Sequence, residues 1–233
     1  MATYNRTYTP LSTPTAKRHL QGLLDSVDNA KAYRDHMIAL GELLAAAIAP
    51  LLYQQTASDT LIISTAEDAD FLQLGVATKL HQQGITNKLA VFWNNHYQLA
   101  DHSSVAPIVH KFIQSGYESA KNVIIVKSVI SGSCVVRTNL IEMLGNLSDI
   151  ENIFILAPVA HKQSEQKLKA EFPTEISQRF KFICFAIDDE RSEAGEVIPG
   201  IGGSVYELLG LADQPVLTAY IPAVVEKLAF ADM

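Results

Sequence analysis

The stretch "VIIVKSVISGSC", Val123 to Cys134, sets four branched or apolar residues in a row before a lysine and a run of small polar residues. A short apolar run without alternation is the signature of a strand covered on both faces, as in a parallel sheet. The small residues after it form a loop leaving the strand's carboxyl end. Four more runs share this character: "TLIIS" from Thr60, "KLAVFW" from Lys88, "NIFILA" from Asn152 and "FKFICFAI" from Phe180. Helical stretches are expected between them over Ala69–Gln83, Ser104–Gln114, Val135–Leu144 and His161–Glu171. Strand and helix therefore alternate with short connections. This predicts an α/β fold with a mostly parallel five-stranded sheet flanked by helices.

Working outward, a polar N-terminal arm carrying Pro10 and Pro14 precedes a stripe of apolar residues at Tyr33, Met37, Leu40, Leu44, Ala47 and Leu51. Their spacing of three and four predicts an amphipathic helix lying on the sheet domain. At the other end, "SVYELLGL" and "AYIPAVVEKLAF" read as two short helices. We expect one domain: an arm and helix over 1–55, an α/β core over 56–186, and a hood with C-terminal helices over 187–233.

With 233 residues, 48% of them hydrophobic, the chain can bury a large core. Its net charge of −7 lacks any Lys/Arg cluster, so no nucleic-acid surface is expected. "MATYNRTYTP" has no apolar stretch, and the run "LLAAAIAPLL", Leu43–Leu52, falls short of the roughly 20 residues of a membrane span. No membrane association is expected, and the expected compartment is the cytoplasm. Cys134 and Cys184 fit a reducing environment and core packing. A Cys134 nucleophile would need a base that sequence does not place. His96, His102 and His110 lack the compact spacing of a zinc site, and no metal site is expected from the residues alone.

In an open parallel sheet, ligands collect beyond the carboxyl ends of the strands. The loops there are Ser64–Ala69, Trp93–His102, Lys127–Cys134, Ala157–His161 and Ile187–Gly203. Read in order, they resemble those of the uracil phosphoribosyltransferases, which join uracil to 5-phosphoribosyl diphosphate (PRPP). "LLDSVDNAKAYRDHMIALGELLA" is similar to the family's N-terminal arm and helix, and "FILAPVAHKQSEQKLKAEFP" to the strand and helix after its PRPP loop. "AIDDERSEAGEVIPGIGG", Ala186 to Gly203, resembles the family's uracil loop. The resemblance implies base contacts from Asp188, Ile198, Pro199, Gly200, Ile201 and Gly202. It implies phosphate contacts from the Lys127, Ser128, Val129, Ile130, Ser131, Gly132, Ser133 segment. Gly200 to Gly203 also reads as a plain turn, and "DDER", Asp188 to Arg191, as a solvated loop.

The chain departs from the family where PRPP would sit. Lys127 stands in place of an acid, and "STAED", with Ser64, Thr65, Glu67 and Asp68, replaces an arginine-bearing pyrophosphate loop. "WNNH" lacks another arginine, and Tyr206 occupies the place of a carboxylate in the uracil loop. The acids of "STAED" read equally as a helix start, with Ser64 or Thr65 capping. Lys127 reads either as a solvated strand-end lysine or as one half of a charge swap with Glu67, Asp68 or Asp70.

The expectation is a uracil phosphoribosyltransferase-like protein that binds a nucleobase, a nucleotide or another phosphorylated small molecule, with PRPP-dependent transfer impaired or lost. The alternative is an active enzyme making UMP and pyrophosphate. No firm cofactor is expected, and magnesium only together with PRPP. Family members pair, so a homodimer is implied by resemblance.

Overall fold

The computed structural model of the chain describes residues 5–53, 60–98, 104–193 and 195–230. His102 and the end of the 93–102 loop, considered above, lie outside them. Strands, in chain order, are β1 (Arg6–Tyr8), β2 (Thr60–Thr65), β3 (Asn87–Asn94), β4 (Tyr97–Gln98), β5 (Ser104–Val105), β6 (Ile108–Ile113), β7 (Asn122–Val126), β8 (Val129–Ile130), β9 (Asn152–His161), β10 (Phe180–Asp188), β11 (Glu190–Arg191) and β12 (Val197–Ile198). Helices are α1 (Pro14–Asp25), α2 (Ala30–Tyr53), α3 (Ala66–Ala69), α4 (Leu72–Gln82), α5 (Cys134–Leu144), α6 (Ser164–Ala170), α7 (Thr174–Ser177), α8 (Val205–Leu208), α9 (Pro215–Thr218) and α10 (Ala223–Ala229).

The main sheet runs β1-β10-β9-β7-β2-β3-β6, with the short β8 also on β9. The five runs read from sequence are its parallel centre, β10-β9-β7-β2-β3. Antiparallel edges, β1 against β10 and β6 against β3, were not foreseen. The expected helix over Ser104–Gln114 is instead β5 and β6. Pro107 interrupts any helix there, and Val105, Ile108, Val109 and Ile113 are β-branched residues suited to a half-exposed edge strand.

β2, β7 and β9 are buried along their whole length because helices cover both faces. Alternate residues point to opposite layers: Ile62, Ile124 and Phe154 join the core shared with α1, α2 and α4, while Leu61, Val123 and Ile153 join the core under α5. Helix α2 presents Tyr33, Met37, Leu40, Leu44 and Ile48 to the first layer, all essentially inaccessible. Over Ala30–Leu52 it is long and apolar enough to cross a membrane by length and composition, a property that counting uninterrupted apolar residues missed. Its close partner is α4. A Cβ on Gly41 would fall on the Leu72 carbonyl oxygen and one on Gly75 on that of Ile38, so these two glycines let the backbones touch.

Chain order fixes where a site can form. From β2 the chain crosses to β3 on one side, then returns past β2 to β7, β9 and β10 on the other. Strands β2 and β7 are therefore neighbours that lead to opposite halves, and a crevice opens between their carboxyl ends.

Candidate functional site

Ser64 of β2 pairs with Val126 of β7, so the residues that follow each strand face one another across that crevice. The turn after β2 becomes α3, carrying Glu67 and Asp68, and the residue after β7 is Lys127. Lys127 Nζ lies 2.7 Å from Asp68 Oδ2 and 3.1 Å from Glu67 Oε1. It also reaches Ser128 Oγ at 3.2 Å. The other bonds to Asp68 Oδ2 come from the Ser128 N–H at 3.1 Å and the Thr65 hydroxyl at 3.0 Å. Thr65 sits at the start of α3 but does not cap it, since its hydroxyl serves the carboxylate instead. Ser64 donates to the Thr65 carbonyl.

These groups are buried: Asp68 is 1% exposed, Glu67 6% and Lys127 9%. Burial alone would lower the Lys127 pKa, but the Asp68 and Glu67 carboxylates outweigh it, and the net shift is upward. The ammonium is thus locked in its charged form. Asp70 takes no part. Its carboxylate accepts from the Tyr220 hydroxyl at 2.8 Å and from the Ala223 and Val224 amides, tying the C-terminal helix α10 to the α3–α4 turn.

A cavity of about 670 Å³ opens on this cluster. Of the "STAED" residues only Glu67 reaches its surface, together with Lys127. The Lys127–Ser133 segment divides. Lys127 and Ser128 belong to the ion cluster, Val129 and Ile130 form β8 against β9, and Ser131 to Ser133 make the turn into α5 at the cavity wall. Gly132 has open space where a Cβ would be. The Ser133 hydroxyl donates to Glu171 at 2.9 Å.

Across the cavity stands the loop between β10 and α8. Only Ile201 of the expected base-contact residues lines the space, beside Val197 and Gly203. Asp188, Ile198, Pro199, Gly200 and Gly202 do not line it; Asp188 and Gly200 are buried, while Gly202 is exposed. Asp188 is fully buried rather than solvated: Arg6 grips it at 2.9 and 2.7 Å, and the Gly200 amide donates to it at 2.9 Å. Arg6 also donates to the Gly200 carbonyl at 2.5 Å, and the Tyr33 hydroxyl to the Ile201 carbonyl at 2.9 Å. Gly200 has φ +54, and a Cβ there would strike the Val197 carbonyl oxygen. The Gly200 amide and carbonyl, the Ile201 carbonyl and the Gly202 amide are thus engaged in holding this loop.

Two contributors escaped the sequence reading. Arg191, read as part of a solvated loop, lines the cavity and donates to the Ser131 carbonyl, joining the hood to the turn before α5. Its signal was the lone cation within "DDERSEAGE". Asn94 and Asn139 exchange two amide hydrogen bonds, at 2.8 and 3.1 Å, which fix α5 against β3. Tyr206 completes the floor with Glu67 and Lys127, its phenol pKa raised by burial and then by the Glu67 charge. Cys134 also lines the cavity, its thiol pushed up by burial, the wrong direction for a nucleophile.

No family model and no curated protein matches this chain. Among solved structures, it is similar to the hypoxanthine-guanine phosphoribosyl transferase of L. donovani at 10% identity and a TM-score of 0.46, over 68% of this chain and 84% of the other. It is similar to a hypothetical protein from Neisseria gonorrhoeae with bound ppGpp at 12% identity and a TM-score of 0.43, over 67% and 81%. The adenine phosphoribosyltransferase of Thermoanaerobacter pseudethanolicus matches at 14% identity and a TM-score of 0.39, over 69% and 82%.

Proposed function

We propose that the cavity binds a nucleobase- or nucleotide-type ligand, as the sequence resemblance to uracil phosphoribosyltransferases implies, and that PRPP-dependent transfer is impaired or lost. The observation that carries this reading is the closed cluster of Lys127, Asp68 and Glu67 at the crevice between β2 and β7. At about 670 Å³ the cavity has the size of a small-molecule site, roughly 300–1,000 Å³.

Transfer from PRPP requires the protein to stabilise a departing diphosphate and its magnesium. The side chains present do not fit that group. Asp68 is held by Lys127, the Ser128 amide and the Thr65 hydroxyl, Glu67 pairs with Lys127 through one oxygen, and by the sequence resemblance this ammonium stands where the family carries the acid that faces the ribose hydroxyls and metal. Among the described residues no cluster of three or more His, Cys, Asp or Glu is arranged to hold a metal ion. Glu67 at the cavity surface would also repel a diphosphate. At 4 Å and an effective dielectric near 20, each such contact costs about 4 kcal/mol before screening, a factor of roughly several hundred in rate.

The test is turnover with purified protein, uracil, PRPP and magnesium, beside calorimetric titration with UMP. The expected result is heat of binding for UMP without UMP formation. UMP production at an enzymatic rate would overturn the proposal in favour of an active pyrimidine phosphoribosyltransferase.

A further inference from the structure

The polar groups left over in the cavity are unevenly placed. Four buried side-chain polar atoms lack a hydrogen-bond partner among the described residues, and of these Arg191 Nε is the one belonging to a cavity-lining residue. Arg191 has no ion pair among the described residues. Its single side-chain bond is to a neutral carbonyl, that of Ser131. A partly buried guanidinium facing no carboxylate is a desolvated charge without compensation, which a protein tolerates where a ligand supplies the anion. Burial alone lowers its pKa, as expected where no acid stands nearby.

The neighbours add to the same sign. Lys167 of α6 also lines the cavity and has no ion pair among the described residues, while Arg137 meets Glu171 only at 3.8 Å. Glu171 is shared between that contact and the Ser133 hydroxyl. Glu196, exposed, is the remaining acid of the rim.

The floor has the opposite character. Glu67 lines the cavity surface, its Oε1 lies 3.1 Å from Lys127 Nζ, and the side chain is 8% exposed. A carboxylate at a cavity surface accepts a donor and repels an anion. Tyr206 and His96 stand beside it, both in electrostatic reach of Glu67 and Lys127.

Resting on the reading above, we infer that the cavity selects a phosphomonoester: Arg191, with Lys167 and the Ser131–Ser133 turn, anchors one phosphate, and Glu67 receives a hydrogen-bond donor at the far end while excluding a second phosphate. Arg191 is a binding residue contributed by the hood hairpin β11–β12. Glu67 is the residue that sets specificity. A nucleoside monophosphate satisfies both ends, and a diphosphate fails at the floor.

The experiment is calorimetry on the full chain with UMP, AMP, ribose 5-phosphate, uridine, pyrophosphate and magnesium-PRPP. At least one phosphomonoester should bind ten times or more tightly than uridine, pyrophosphate or magnesium-PRPP. Arg191→Ala should weaken that ligand at least tenfold, and Arg191→Lys, which keeps the charge without the fork, should fall between. Thermal unfolding of each variant confirms that it is folded. Glu67→Gln should raise the affinity for magnesium-PRPP relative to the monoester severalfold.

Failures of the two readings separate. If AMP or ribose 5-phosphate binds with this Arg191 dependence and UMP does not, the inference stands and the uracil reading falls. If UMP binds but folded Arg191→Ala protein binds it equally, the inference falls alone. If magnesium-PRPP binds as tightly as UMP, or no phosphomonoester binds at all, the inference is overturned.

Discussion

Lys127 Nζ stands 2.7 Å from Asp68 Oδ2, with side-chain exposures of 11% and 1%, at the point where the sheet's strand order reverses. The pair joins the ends of β2 and β7, and the Ser128 amide and Thr65 hydroxyl complete the carboxylate's bonds. A buried charge left without its partner is the costly state, more than the pair itself is a gain.

Lys127→Met should therefore destabilise the protein by about 3–5 kcal/mol, because Asp68 and Glu67 remain buried without a cation. Urea unfolding measures the loss. Adding Asp68→Asn to Lys127→Met should recover a substantial part of it. A single-variant loss below about 1 kcal/mol, the value of an exposed ion pair, would show that the cluster is not shielded from water.

The same pair fixes a pH window. The folded pKa of Lys127 lies above the ordinary lysine value, so its contribution is present in full below roughly pH 10.4. It is lost as pH rises through the folded pKa. The stability gap between wild type and Lys127→Met should stay level from pH 7 to about pH 10. A gap that closes by pH 9 would contradict the upward shift.

On the acid side the sensitive groups are histidines. His19 of α1 and His36 of α2 share a hydrogen bond, Nδ1 to Nδ1 at 3.0 Å, so one ring must accept and remain neutral. Burial lowers the His19 pKa, His36 and Arg18 lower it further, and Glu42 offsets part of this. A lowered pKa gives stability that is whole above about pH 6.5 and is lost as pH falls through the folded value. The melting temperature should drop between pH 7 and pH 5, and less steeply in His19→Gln.

Arg6 and Asp188 make the second deep ion pair, at 2.9 and 2.7 Å, with Asp188 also accepting from Gly200. Arg6→Ala should cost about 3–5 kcal/mol and free the hood loop, read as faster amide hydrogen exchange at Gly200 and Gly202. Unchanged exchange there would mean that Arg6 does not hold the loop.

Gly200→Ala should be harmful for a different reason. Its φ of +54 and the contact with the Val197 carbonyl oxygen leave no room for a side chain. A loss of more than about 1 kcal/mol in urea unfolding is expected, and ligand affinity should fall with it because Ile201 lines the cavity.

Much of the fold was legible because buried parallel strands write themselves as continuous apolar runs. "TLIIS", "KLAVFW", "NVIIVK", "NIFILA" and "FKFICFAI" are the five central strands. The edges were not legible. Three residues, Arg6–Tyr8, make a strand only because β10 offers an unpaired side, and Ile108–Ile113 carries an edge strand's mixed pattern that mimics helical spacing. In the hood, the glycines and Pro199 signalled a special loop, but not that Asp188 and Gly200 serve the loop itself.

Sequence by itself determined the sheet's parallel centre, the stripe of α2 from Tyr33 to Leu44 though not its end, where Ile48 is buried and Leu51 exposed, and the presence of opposite charges in two loops after two strands, since each of these is a property of neighbouring residues. Only the tertiary structure decided that Lys127 meets Asp68 and Glu67 rather than Asp70, that Arg6 reaches Asp188, and that Arg191 lines the cavity without an ion pair among the described residues. Those outcomes depend on which distant strands lie side by side and how much water is excluded between them. Coulomb energy in a buried crevice is set by that exclusion, and it is written in no single stretch of the chain.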